Sequence, residues 1–78
     1  MGYDNRSNMI RVDFFKPSGK YCTTEAVDML SAHDEPDLER ATLTCIENHL
    51  KGRLRGMTAV VLEPYHINPY PLMLKIPE

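Results

Sequence analysis

Along Met9 to Phe15 apolar and polar positions alternate, with Ile10, Val12 and Phe14 on one side and Arg11 and Asp13 on the other. That period of two predicts a half-buried strand. Lys16-Pro17-Ser18-Gly19-Lys20 then reads as a turn, because proline presets the backbone at a turn's second residue and glycine accepts a positive φ. Alternation resumes from Tyr21 to Val27, where Cys22, Thr24 and Ala26 face away from Tyr21, Thr23 and Val27. The pattern leaves open which of these faces points inward. Glu25 and Asp28 mark the second strand as an exposed edge.

The period changes between Asp34 and Lys51. At about 100° per residue, Leu38, Ala41, Thr42, Cys45, Ile46, His49 and Leu50 fall on one arc, with Leu43 at its margin. Arg40, Thr44, Glu47, Asn48 and Lys51 form the polar side. Asp34 is the expected cap, with Asp37 three residues later as in a capping box and Pro36 tolerated in the first turn. Glu47 and Lys51 are spaced for an ion pair, and Gly52 or Gly56 is the expected stop.

Met57 to Leu62 is an unbroken β-favouring run, expected as a central strand buried on both faces or nearly so. Glu63 to Pro71 contains Pro64, Pro69 and Pro71, which cannot donate to a ladder. From Leu72 to Ile76 alternation returns, with Leu72, Leu74 and Ile76 inward and Met73 and Lys75 outward. This last segment is the expected hairpin partner of Met57 to Leu62. The order is ββαββ, which predicts an α+β fold of two layers: a four-stranded, mostly antiparallel sheet with one helix packed on one face.

Composition narrows the setting. The chain has 78 residues, 42% hydrophobic and 26% charged, within the ordinary globular range. Met1 to Asn8 lacks periodicity and is expected as a flexible tail, leaving residues 9–78 as a single small α+β domain. A domain of this size buries only about 60% of its unfolded surface, so a partner or a homodimer contact would help it. A net charge of -2 exerts no general pull on nucleic acid or anionic lipid. Two cysteines, a polar N-terminal stretch and no apolar run near the ~20 residues of a membrane span predict a reduced cytoplasmic protein without membrane contact. Charge is uneven: Tyr21 to Glu39 carries acids without bases, whereas Arg40 to Arg55 carries Arg40, Lys51, Arg53 and Arg55 against Glu47.

Two stretches resemble small uncharacterised accessory proteins of tailed phages and prophages. They are Asp13-Phe14-Phe15-Lys16-Pro17-Ser18-Gly19-Lys20-Tyr21 and Gly56-Met57-Thr58-Ala59-Val60-Val61-Leu62-Glu63-Pro64. The resemblance implies a protein that binds something in a bacterial host; it assigns no residue a role.

Candidate chemistry is thin. Cys45 and His49 have the spacing of zinc ligands on a helix, and Cys22 with His66 or His33 could complete a set. No paired-cysteine knuckle accompanies them, and both helix residues lie on the arc expected to pack on the sheet, so no metal or other cofactor is expected. Cys45 as a nucleophile would need an electropositive, partly exposed setting, which a core position denies. Ser18-Gly19-Lys20 lacks the remainder of a phosphate loop. No catalytic residue is assigned, and the chain is read as non-enzymatic.

Two segments remain as binding candidates. Lys51, Arg53 and Arg55 beside the negative end of a helix could grip phosphates or an acidic protein surface, which makes a nucleic-acid-binding domain the alternative reading. The segment Glu63 to Pro71 is longer than a plain hairpin loop of two to five residues, and it is stiffened by proline and carries Tyr65, His66, Ile67 and Tyr70. Rigid tyrosine-bearing loops make good protein contacts because little entropy is lost on binding. The leading expectation is a protein-binding module that acts through this loop and an open sheet face.

Overall fold

The structure is a computed structural model that describes residues 9–29, 35–63 and 72–78. Its elements are β1 (Met9–Phe15), β2 (Tyr21–Asp28), α1 (Leu38–Leu50), β3 (Thr58–Glu63) and β4 (Leu72–Lys75). The strands form a four-stranded sheet in the order β2-β1-β3-β4, with every neighbouring pair antiparallel. The ββαββ, α+β architecture is as the alternating and helical periods predict.

The first hairpin closes where the turn chemistry requires. The Lys16 amide donates to the Lys20 carbonyl at 2.8 Å and the Gly19 amide to the Lys16 carbonyl at 2.7 Å, with Gly19 at φ 94°. A register shift between Phe14 and Phe15 follows, since Phe14 pairs with Thr23 but Phe15 with Tyr21. This bulge corrects the simple alternation read for β2. It moves Tyr21 to the face that carries Thr24 and Ala26, and leaves Thr23, Glu25 and Val27 opposite Phe14, Val12 and Ile10. Glu25 therefore points to the helix side of the sheet.

The helix begins at Leu38, later than the sequence pattern implies. Asp37 is the N-cap: its carboxylate accepts from the amides of Glu39 at 3.1 Å and Arg40 at 3.3 Å. Asp34 lies outside the described residues. Ala41, Thr42, Cys45, Ile46 and Leu50 are buried, while Leu38, Leu43 and His49 are half-buried at the edges of the expected arc. The stop is a further correction. Lys51, not a glycine, is the C-cap and takes the left-handed conformation at φ 52°, with Gly52 at φ 89° behind it. No Glu47–Lys51 ion pair forms among the described residues, because Lys51 has left the helical path.

Ile10, Val12, Phe14, Val27, Ala59, Val61, Leu72, Leu74 and Ile76 meet Cys45, Ile46 and Leu50 in one cluster between sheet and helix. Each of these side chains is at most 9% exposed. β3 is central, as expected, yet it is buried on one face only: Ala59 and Val61 are covered while Thr58 and Val60 are half-exposed. Among the described residues one helix covers one side of the sheet, and no element packs on the other. Within β4, Leu72 and Leu74 are buried and Met73 and Lys75 exposed, as the alternation predicts.

Candidate functional site

Two surfaces stand out among the described residues: the uncovered sheet face, and the charged corner where the helix ends beside β2.

Strand alternation and the registers set the open face. Tyr21, Phe15, Thr58 and Lys75 form one row across the four strands, and Thr24, Asp13, Val60 and Met73 form the next. Tyr21 is 54% exposed and Met73 62%, with Phe15 and Val60 half-buried between them. Phe15 and Tyr21 pack edge to face with ring centroids 5.8 Å apart, a favourable aromatic geometry. The Tyr21 hydroxyl lies 2.6 Å from the Thr24 hydroxyl, which donates to the Asp13 carboxylate at 2.6 Å. With the Thr24 proton committed to Asp13, Tyr21 is the donor in its own bond. The exposed aromatic ring is thus held at both ends, and little side-chain entropy remains to be lost if a partner covers it.

The charged corner is built on Glu25. Its carboxylate receives a bidentate fork from Arg53, Nη2 to Oε1 at 2.8 Å and Nη1 to Oε2 at 3.1 Å. His49 Nε2 lies 2.7 Å from the same Oε1. The Arg53 amide and Nε both donate to the Leu50 carbonyl, at 3.1 and 3.2 Å, so Arg53 also satisfies a free carbonyl at the helix end. The guanidinium fork holds the Glu25 carboxyl at a pKa of about 2, against burial, with His49 adding to the lowering. This arrangement joins edge strand, helix and loop.

Of the positively charged residues expected to contact phosphate or acidic surfaces, Arg53 is taken up by Glu25, while Lys51 and Arg55 are exposed. Tyr65, His66, Ile67 and Tyr70 lie outside the described residues. Cys45 and His49 share the helix but not a site, since Cys45 is in the core and His49 is turned to Glu25. Cys22 and Cys45 are not joined in a disulfide. Among the described residues no three His, Cys, Asp or Glu side chains gather in a metal-binding group. No helix there is long and apolar enough to cross a membrane.

The Glu25 corner has no signature in the sequence, where Glu25 reads as a mark of an exposed edge. A carboxylate between Thr23 and Val27 on an inward face needs polar partners, and the two that serve it, His49 and Arg53, lie 24 and 28 residues away. No protein family, curated protein or solved structure matches the chain.

Proposed function

We propose that the protein is a small non-catalytic binding module that docks a protein partner on its uncovered sheet face. The observation that carries this reading is the exposure of Tyr21 and Met73 on the side of the sheet away from the helix. Tyr21 and Met73 stand on the two outer strands with the half-buried Phe15 and Val60 between them, and apolar surface carried across one face is a feature of interaction surfaces. The immobilised Tyr21 ring adds to it, as aromatic anchors contribute most of the energy at protein contacts. The resemblance to tailed-phage accessory proteins favours a bacterial host protein as the partner, and the small number of cysteines favours the reducing cytoplasm as the compartment. Tyr65, His66, Ile67 and Tyr70 are proposed to extend the contact, and a homodimer through the same face is a form of the same proposal.

Binding of nucleic acid through Lys51, Arg53 and Arg55 is the lesser reading. A guanidinium already forked onto Glu25 would have to give up that pair before it neutralised a phosphate. The two readings separate experimentally. Tyr21→Ser with Met73→Ser abolishes capture of the partner under the first and leaves binding intact under the second.

A further inference from the structure

A cleft of about 320 Å³ opens between the end of the helix and residues 76–78, at the small end of the size range of ligand sites. Pro77 gives the lining its exposed apolar side chain, beside the buried Leu50 and Ile76, and the lining carries both signs of charge: Arg53 and Arg55 against Glu47 and Glu78. Arg53 is occupied by Glu25. The side chains of Arg55, Glu47 and Glu78 make no ion pair or hydrogen bond among the described residues.

The backbone between the helix and β3 turns through four left-handed positions, which cost the two non-glycine residues and not the glycines. Lys51 and Leu54 have φ 52° and 56°, and Gly52 and Gly56 have φ 89° and 79°. A left-handed leucine persists only where its surroundings dictate it, and such residues gather at binding sites. Leu54 packs against the core, which leaves Arg53 and Arg55 on either side of it to line the cleft. The glycines leave room for the charges. A Cβ at Gly52 would lie 3.4 Å from Arg55 Nη2, and one at Gly56 would lie 3.3 Å from Glu78 Cγ.

We propose that this cleft binds a small aliphatic zwitterion of the α-amino-acid or dipeptide type. Arg55 takes the carboxylate, Glu47 and Glu78 take the ammonium, and the exposed Pro77 receives the aliphatic body. A simple anion would face the carboxylates of Glu47 and Glu78 and a simple cation would face the Arg55 guanidinium, so a ligand of both signs suits the lining best. The site is separate from the sheet face and stands or falls without it.

Titration of the ¹⁵N-labelled full chain with L-leucine and with leucyl-leucine tests the proposal and tells the two sizes apart. One of them should give saturable amide shifts confined to residues 47–56 and 76–78. N-acetyl-leucine and leucinamide, each lacking one charge, should bind about tenfold more weakly or worse. Arg55→Gln and Glu78→Gln, both at exposed side chains, should each weaken binding to a similar degree. Failure of both zwitterions to saturate, equal binding of either blocked compound, or unchanged affinity in both variants would overturn it.

Discussion

Glu25 and Arg53, one on the edge strand β2 and the other three residues beyond the helix, meet in a two-bond fork at 2.8 and 3.1 Å. The pair fastens the helix end and the following loop to the edge of the sheet, with His49 on the same carboxylate. Its strength depends on Glu25 being ionised. The folded pKa of about 2 lies below the ~4.3 of a free glutamate, so between these values the unfolded chain binds more protons. The stabilisation is complete above about pH 5 and is lost as pH falls towards 2. Because Arg53 is 52% exposed, solvent screens the pair, and Glu25→Gln should cost about 1 kcal/mol at neutral pH. Denaturant melts across pH should show the gap between wild type and variant closing near pH 2. A gap independent of pH would mean the carboxylate's charge does not matter.

The loop after the helix predicts opposite effects of two neighbouring changes. Lys51 occupies a left-handed position at φ 52°, which glycine adopts without steric cost. Lys51→Gly should stabilise by about 0.5 kcal/mol once the extra freedom of the unfolded chain is deducted. Gly56→Ala should destabilise by about 1–2 kcal/mol, since φ 79° is strained for alanine and its Cβ would crowd Glu78. Urea midpoints of both variants give the two signs.

At the other end of the helix, Asp37→Ala should cost about 1 kcal/mol, the usual loss on removing an N-cap carboxylate, because it strips the acceptor from the amides of Glu39 and Arg40. Asp37→Asn, which keeps an acceptor oxygen, should restore most of it. Thermal melts of the two variants measure the difference.

The legibility of the chain follows the range of the interactions. Alternation at Ile10, Val12 and Phe14, and again at Leu72, Leu74 and Ile76, is local, and the structure buries each of these residues. The helix start was less legible because Asp34 and Asp37 both have capping chemistry and Pro36 tolerates either choice. The side chain that receives the helix amides decides it, and that is Asp37. The face of β2 was not legible at all. A single bulge between Phe14 and Phe15 regroups Tyr21 and Glu25, and cross-strand register has no signature in the β2 sequence alone. The same bulge places Tyr21 on the open face and Glu25 beneath the helix, so both candidate surfaces depend on a feature outside local pattern.

Burial separates the two thiols. Cys45 is 2% exposed within the core and Cys22 is half-buried on the edge strand. Native-state alkylation should therefore modify Cys22 first and reach Cys45 only at the rate of unfolding. Rapid modification of Cys45 in the folded protein would contradict its core placement and reopen a role for it as a nucleophile.

Parallel affinity capture tests most directly whether the open sheet face carries the proposed function. Wild type, Tyr21→Ser with Met73→Ser, and Arg53→Gln with Arg55→Gln serve as baits in bacterial lysate at low and high salt, with retained molecules identified by mass spectrometry and nucleic-acid staining. We predict a protein held by wild type and by the arginine variant at both salt concentrations, and lost from the Tyr21 and Met73 variant although circular dichroism shows it folded. Equal retention by the Tyr21 and Met73 variant, or retention of nucleic acid that falls steeply with salt and vanishes in the arginine variant, would contradict the account.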